Sequence, residues 1–337
     1  GDWSSDVCSS DLIPETLRES ICSWNARRYD LKIDSRAITI IPGVMSGVSA
    51  AVLALSDPGD AIVVQPPLYP PLMQTVSRNG RKLVENQLVL EDGRYVMNLV
   101  ELEKQFQEYR PRLLLLCSPH NPVGRVWTSD ELIRLLNLAR QYGVVLVSDE
   151  IHADIVFAPH KHVSTLSICP KEKEGIVVLN SASKSFNVAG LNTAYALIPD
   201  MQLQTIFRKQ LRSMNLHGAN VLGMVALEAA YTRAEEWLDA LLIYLQGNRQ
   251  FITQTLENQL PDLQHFVPGG TYLSWIDFTS LGLTGAQIRR KLIDEARVGL
   301  NDGLTFSRDH DGFWRFNFAV PKSMLEKGLE RIVDAFQ

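Results

Sequence analysis

The sequence predicts an α/β fold, with a mainly parallel sheet in a large domain and a smaller α+β domain after it. Short apolar runs alternate with amphipathic helical segments in the first part of the chain, a pattern typical of parallel sheets covered by helices. Beyond residue 200 the pattern changes. Residues 201–259 have helical periodicity with almost no glycine or proline, and we expect them to lead the chain out of the large domain.

Periodicity and end signals predict the individual elements. The apolar runs expected to form buried strands are 61–65, 113–116, 144–147 and 176–179. The expected helices include 47–55 and 129–142, and Thr128 with Glu131 has the pattern of capping residues at a helix start. In the smaller domain we expect strands at 271–277 and 312–318, a helix at 284–296 and a closing helix at 322–336.

Composition excludes several classes of protein. The chain has 337 residues, of which 45% are hydrophobic and 21% charged, which is ordinary for globular proteins. A net charge of −5 offers no basic surface for nucleic acid, and no apolar run reaches membrane-spanning length. The four cysteines show no paired spacing, so we expect a reducing cytoplasm and no metal site. His160 and His162 fit no usual ligand spacing, and we expect solvated loop histidines.

Lys184 is the most informative residue, because it follows the apolar run 176–179 among small hydroxyl residues. A lone lysine there would be interpreted as a solvated loop residue. Asp149 and Asn121, however, follow two other apolar runs, and the carboxyl ends of parallel strands meet at one edge of a sheet. A lysine can form a Schiff base with an aldehyde cofactor, and an aspartate can keep a pyridine nitrogen protonated. An asparagine amide can donate to the phenolic oxygen of such a cofactor. The three residues therefore indicate a site for pyridoxal 5′-phosphate (PLP).

Three motifs carry a resemblance to a known family: Asn121-Pro-Val-Gly124, Asp149-Glu-Ile-His152 and Ser181-Ala-Ser-Lys184. In this order and spacing they resemble the fold-type I PLP enzymes of the class I/II aminotransferase family, and most closely its cystathionine β-lyase-like (C–S β-lyase) branch. The resemblance runs from about residue 13 to the C-terminus. It implies the aspartate aminotransferase-like fold, with a seven-stranded sheet in the large domain, and a homodimer with a shared active site.

The resemblance also implies domain boundaries and residue roles. Residues 13–35 would be a remnant of the small domain, 36–235 the large PLP-binding domain and 236–337 the C-terminal small domain. Arg315 would hold the α-carboxylate of an amino-acid substrate together with Asn121. The other residues that the resemblance places around PLP are Gly43, Val44 and Met45 at the phosphate, Tyr69 on the ring, Asp149, His152 near the phenolic oxygen, and Ser181 and Ser183.

Some of these positions have a plainer interpretation when read alone. Gly43 could belong to an ordinary helix start, Tyr69 to an amphipathic loop, His152 to the core and Arg315 to a surface strand. Two features depart from the family pattern. Asn192 stands where many aminotransferases have an arginine that pairs with the phosphate. Residues 1–12 resemble translated sequencing-adapter sequence, so we expect them to be non-native and exclude them from the fold prediction.

The leading functional hypothesis is a PLP-dependent C–S β-lyase that cleaves cystathionine or related cysteine S-conjugates. It is supported by the segments 149–152 and 300–303 and by Asn192. An aminotransferase that uses a 2-oxo acid acceptor is the alternative, because the same residues serve both reactions. A non-catalytic binding module is the third hypothesis, and it predicts that Lys184 is dispensable.

Overall fold

The computed structural model describes residues 13–169, 174–216 and 218–337. The segment expected to be non-native, residues 1–12, lies outside these ranges. The strands are β1 Ile38–Ile41, β2 Ala61–Val64, β3 Lys82–Glu85, β4 Val89–Glu91, β5 Arg94–Val96, β6 Leu113–Cys117, β7 Val145–Asp149, β8 Ile176–Asn180, β9 Ala194–Leu197, β10 Gln264–Phe266, β11 Leu273–Asp277, β12 Asn301–Asp302 and β13 Phe313–Asn317. The helices are α1 Glu15–Tyr29, α2 Val44–Leu55, α3 Pro70–Arg78, α4 Leu99–Tyr109, α5 Ser129–Gln141, α6 Met201–Ser213, α7 Val221–Arg233, α8 Glu235–Gln259, α9 Gly285–Arg290 and α10 Lys322–Phe336.

The main sheet has seven strands in the order β1-β9-β8-β7-β6-β2-β3. Strands β3, β2, β6, β7 and β8 pair in parallel, and β9 is antiparallel to both β8 and β1. All residues of β2, β6 and β8 are buried, as expected for parallel strands covered on both faces. The predicted α/β fold with a mainly parallel sheet is therefore confirmed.

Helices cover both faces of the main sheet and divide its core in two. On one face, α2, α3 and α6 pack against the strands through side chains such as Val48, Leu72 and Phe207. On the other face lie α1, α4, α5 and α7, with Trp24, Phe106 and further apolar residues in one cluster. Because these two layers cover both faces of the sheet, the polar side chains that follow its strands are accessible at the carboxyl edge of the sheet.

The second sheet is antiparallel, in the order β10-β11-β13-β12. It packs on α9, α10 and the end of α8 in a third core that includes Ile276, Trp314 and Leu329. Helix α8 spans both units: Leu238 belongs to the core of the main sheet, whereas Ile252 belongs to the core of the second sheet. The stretch 201–259, expected to be helical, is therefore α6, α7 and α8, and α8 leads from the core of the main sheet to that of the second sheet.

Most predicted elements lie where expected, with shifts at their ends. Thr128 and Glu131 form the predicted capping box at the start of α5. Helix α2 begins at Val44, three residues earlier than the predicted helix 47–55. The helix predicted at 284–296 is α9 followed by a π-helical turn, Lys291–Glu295.

Helix α1 packs with the main sheet rather than with the second one. The ring of Trp24 stacks on Tyr231 of α7 at a centroid distance of 4.6 Å, and Leu17 and Ile21 are buried in the same cluster. These contacts favour grouping residues 13–35 with the large domain. The boundaries 36–235 and 236–337 stay a prediction. Within the described ranges, no helix is both long enough and apolar enough to cross a bilayer.

Candidate active site

A cavity of about 440 Å³ lies where the carboxyl ends of the main sheet face the second sheet. Ten of the eleven residues proposed from the sequence line it: Gly43, Val44, Met45, Tyr69, Asn121, Asp149, His152, Ser183, Lys184 and Arg315. Ser181 is the exception. These residues are up to 272 positions apart in the sequence, from Gly43 to Arg315, and the fold brings them to one cavity.

The loop after β8 carries Lys184, which is half-buried at the cavity wall. Ser181 is fully buried and anchors this loop, because its Oγ donates to the carbonyl of Thr193 at 2.6 Å. The same Oγ accepts a hydrogen bond from the backbone N–H of Ser183 at 3.0 Å. The structure therefore gives the Ser181 hydroxyl two partners in the protein, Thr193 and Ser183.

Asp149 is the last residue of β7 and lies at the bottom of the cavity, 5% exposed. Burial raises the pKa of its carboxyl to about 6, against the lowering effects of the Ile151 N–H and the Lys184 charge. The Ile151 N–H donates to Oδ1 at 3.1 Å. A buried carboxylate of this kind favours a cationic partner, since a nearby positive charge restores its ionised form.

His152 is neutral in this site. Burial lowers its pKa to about 3, and the nearby charges of Lys184 and Arg315 act in the same direction. Its ring lies edge-on to Tyr272 at 5.4 Å, and its Nδ1 has no hydrogen-bond partner among the described residues. An uncharged imidazole with an open nitrogen can accept or donate one hydrogen bond to a ligand.

Arg315 reaches the cavity from β13 and contacts Asn121 in the loop that follows β6. Its Nη1 donates to Oδ1 of Asn121 at 2.9 Å, and its Nη2 donates to Oδ1 of Asn301 at 2.8 Å. The Phe306 ring lies 4.8 Å from the guanidinium carbon. Its Nε is buried without a partner in the described part of the chain. Because Oδ1 of Asn121 is the acceptor for Arg315, the Asn121 amide nitrogen remains available as a donor.

The start of α2 lines one wall of the cavity. Gly43 precedes the helix with φ of +96°, and no side chain caps the helix start. The first N–H groups of any α-helix have no intrahelical acceptor, and they attract anions. Asn192 also lines the cavity, in a left-handed conformation, and contributes an amide at this position. Lys184 and Arg315 are the only Lys or Arg side chains among the described residues that line the cavity.

Several lining residues were missed by the sequence analysis. Tyr272 and Asn317 come from the second sheet, and Thr193 and Cys117 lie at strand ends, but none belongs to a recognisable motif. The expectation that His162 is a solvated loop residue is wrong. Its Nε2 lies 3.0 Å from the carboxylate of Glu150, and both side chains are buried. His160 is exposed, as expected.

Comparison with known proteins settles the family. The model of aminotransferase class I and II matches residues 9–332. This chain belongs to that family. It is 35% identical over 318 residues to cystathionine beta-lyase PatB of Bacillus subtilis, covering 94% of this chain and 82% of that protein.

Solved structures of this family share the fold. A PLP-bound putative aminotransferase from Clostridium difficile 630 has a TM-score of 0.93 at 36% identity, covering 96% of this chain and 84% of that one. Cystalysin from Treponema denticola, whose structure contains a pyridoxal 5′-phosphate cofactor, has a TM-score of 0.92 at 30% identity, covering 96% and 82%. The family predicted from the three motifs is therefore confirmed.

Proposed function

We propose that this protein is a PLP-dependent C–S β-lyase that cleaves cystathionine or related cysteine S-conjugates to a thiol, pyruvate and ammonia. The observation that carries the proposal is the convergence of Lys184, Asp149 and the Asn121–Arg315 pair on one cavity. The named relatives supply the second support, because they include a cystathionine beta-lyase at 35% identity.

The residues present fit PLP. Lys184 supplies the amine for the aldehyde, and Asp149 is a buried carboxylate whose raised pKa calls for a cationic partner such as a protonated ring nitrogen. The uncapped start of α2 at Val44 and Met45 offers backbone N–H groups to the phosphate. Tyr69, half-buried on the cavity wall, supplies an aromatic face for the ring. When bound, PLP supplies an electron-withdrawing ring that stabilises negative charge on the substrate's α-carbon.

The protein's own groups then divide the work between binding and proton transfer. Arg315 binds the substrate α-carboxylate with its guanidinium fork, and Asn301 and Phe306 hold that fork in place. Lys184, as the free amine, removes the α-proton as a general base. Because neutral His152 adds no charge beside it, the ammonium that Lys184 becomes experiences no repulsion from this side chain. A sulfur group on the β-carbon then leaves as a thiolate.

An aminotransferase is the second candidate. One observation favours it: the solved structure with a TM-score of 0.93 is named a putative aminotransferase. The two reactions share the binding of substrate and the removal of the α-proton. They differ in whether a β-substituent leaves or a 2-oxo acid accepts the amino group.

The test is incubation of the protein with PLP and L-cystathionine while pyruvate and free thiol are followed. A lyase releases both without any added oxo acid, whereas an aminotransferase depends strictly on such an acceptor. Lys184→Ala, with its fold verified by circular dichroism, should abolish turnover. Lys161→Ala, at an exposed loop position, is the matched control and should keep full activity. Full activity in Lys184→Ala would show that Lys184 is dispensable and would contradict the proposed mechanism.

We further propose a cytoplasmic homodimer. Apolar side chains stand exposed on α7 and α8: Val221 is 66%, Leu222 72%, Val225 60% and Ile243 75% exposed. Exposed apolar groups of this kind are typical of surfaces that bind another protein. Sedimentation equilibrium measures the mass directly, and a monomer at micromolar concentration would contradict the dimer.

A further inference from the structure

Asp154 is a buried carboxylate whose hydrogen-bond donors lie on two separate parts of the fold. It is 4% exposed and lies in the turn 151–154 that follows β7. Its Oδ1 accepts hydrogen bonds from Nε1 of Trp24, at 3.0 Å, and from the hydroxyl of Tyr29, both on α1. Its Oδ2 accepts a hydrogen bond from Oγ of Ser185 at 2.8 Å. One oxygen therefore has its partners on α1, and the other has its partner in the loop after β8 that carries Lys184, the lysine loop.

Ser185 joins this carboxylate to the residue next to it, Lys184. The Ser185 side chain is fully buried, and the hydroxyl has Asp154 as its acceptor. On the other side of the lysine, Ser181 binds the carbonyl of Thr193. The backbone of Lys184 is thus held on both sides by buried serine hydroxyls with fixed partners.

The turn 151–154, which carries Asp154, also carries His152, and Asp149 ends the strand just before it. The N–H of Ala153 donates to the carbonyl of Glu150 at 2.9 Å. The N–H of Ile155 donates to the carbonyl of His152, also at 2.9 Å. The Asp154–Ser185 hydrogen bond is therefore a direct link between the loop after β7 and the loop after β8.

Burying a carboxylate lowers the stability of the folded state, so packing alone does not explain an aspartate at this position. Burial raises the pKa of Asp154, and the hydrogen bonds from Tyr29 and Ser185 and the charge of Arg28 only counteract this effect. Apolar residues of similar volume would fill such a position at least as well for stability. What an apolar residue could not do is accept hydrogen bonds from two sides and so fix the distance between two loops.

We propose that Asp154 is a positioning residue for Lys184, acting through Ser185 to set the lysine amine against the loop of Asp149 and His152. The inference rests on the proposed covalent capture of PLP by Lys184. In that step Nζ bonds to the aldehyde carbon and the aldehyde oxygen leaves as water. The reaction requires a defined approach of the amine, so a displaced lysine loop slows it even when the fold is intact.

The rate of PLP capture by Lys184 tests the inference. Cofactor-free protein is mixed with PLP, quenched with borohydride at intervals and digested, and modified Lys184 is quantified by mass spectrometry. We expect Ser185→Ala and Asp154→Asn each to slow capture by about tenfold to a hundredfold, because ~1 Å of misplacement has effects of that order. The double variant should be no slower than the slower single variant, since both changes act on the same hydrogen bond, the one from Ser185 to Asp154.

Ser20→Ala is the matched control. Ser20 is a buried serine on α1 whose Oγ donates to the carbonyl of Leu17, away from Asp154. It should match the wild type in capture rate, whatever its effect on the thermal unfolding midpoint. Should Asp154→Asn fail to fold, the comparison of Ser185→Ala with Ser20→Ala decides the question.

The outcomes separate the two proposals. Equal capture rates in wild type, Ser185→Ala and Ser20→Ala would overturn the positioning role and leave the lyase proposal standing. Effects that add in the double variant would show that Ser185 and Asp154 act independently, which also overturns it. A wild-type chain that captures no PLP at Lys184 would overturn the proposed function and the positioning role together.

Discussion

Replacing Asp149 with asparagine should stabilise the cofactor-free protein at neutral pH. Burial places the pKa of this carboxyl at about 6 instead of the usual 3.8. Because the folded-state pKa is the higher one, protonation favours the folded state. The stabilisation from Asp149 is therefore complete below pH 3.8 and is lost as the pH rises through about 6. Above that pH the wild type buries a charge that the asparagine variant does not have.

The magnitude follows from the same two values. A difference of about 2 pH units at ~1.4 kcal/mol per unit makes the ionised carboxylate cost about 3 kcal/mol of unfolding free energy at pH 7.5. At pH 4.5 the wild-type carboxyl in the folded protein is largely protonated, and the difference falls to about 1 kcal/mol. A cationic group against Asp149 would reverse this, so PLP should stabilise the wild type more than the variant.

Urea unfolding of the cofactor-free proteins, followed by circular dichroism between about pH 4.5 and 8, measures the difference. Asp262→Asn, at an exposed position, is the control and should show little change across this range. An Asp149→Asn variant that is no more stable than wild type at pH 7.5 would refute the reasoning. A stability gain that does not vary with pH would refute it as well, because the expected gain comes from the ionisation of the buried Asp149 carboxyl and must grow as that group ionises.

The remaining predictions concern binding, packing and protonation. Arg315→Lys should raise the KM for cystathionine about 10- to 100-fold with a smaller effect on kcat, since one charge-assisted hydrogen bond is lost; steady-state kinetics with an unchanged KM would contradict this. Gly124→Ala should cost about 3 kcal/mol in urea unfolding, because its φ is +68° and a Cβ would lie 2.3 Å from Pro268, whereas Gly143→Ala (φ +67°, open space) should cost only about 1 kcal/mol. His152→Gln should keep the wild-type pH–rate midpoints above about pH 5, because a pKa of about 3 leaves His152 uncharged there; loss of an inflection near neutral pH would show that His152 titrates.

The parts of the fold that sequence reasoning found are those with local physical causes. A strand buried on both faces must be apolar throughout, so the run Leu113–Cys117 can be recognised without its neighbours. Thr128 and Glu131 satisfy each other within one turn, so the start of α5 is equally local. The meeting of Asp149 and Lys184 follows from parallel pairing of β7 with β8, which puts both residues at the same edge.

The parts that escaped prediction depend on contacts distant in the sequence. His162 is buried because the loop folds back onto Glu150, and histidine spacing carries no sign of that carboxylate. Ser181 shares a motif with Lys184, yet its hydroxyl binds the carbonyl of Thr193, 12 residues later. Tyr272 reaches the cavity only because the second sheet is docked beside it. Each of these depends on tertiary packing, which no short window of sequence encodes.

The carbonyl of Gly124 accepts hydrogen bonds from the N–H groups of Gly269, at 2.9 Å, and Gly270, at 3.1 Å. This joint ties the entry to the second sheet to the loop that carries Asn121. Two further backbone bonds hold the same segment: the N–H of Phe157 donates to the carbonyl of Gly269 at 2.9 Å, and the N–H of Thr271 donates to the carbonyl of Ile155 at 2.7 Å. The spacing between Asn121 and Arg315 is therefore supported by main-chain bonds as well as by their own hydrogen bond. A side-chain substitution that removes the Asn121–Arg315 bond leaves this main-chain support in place.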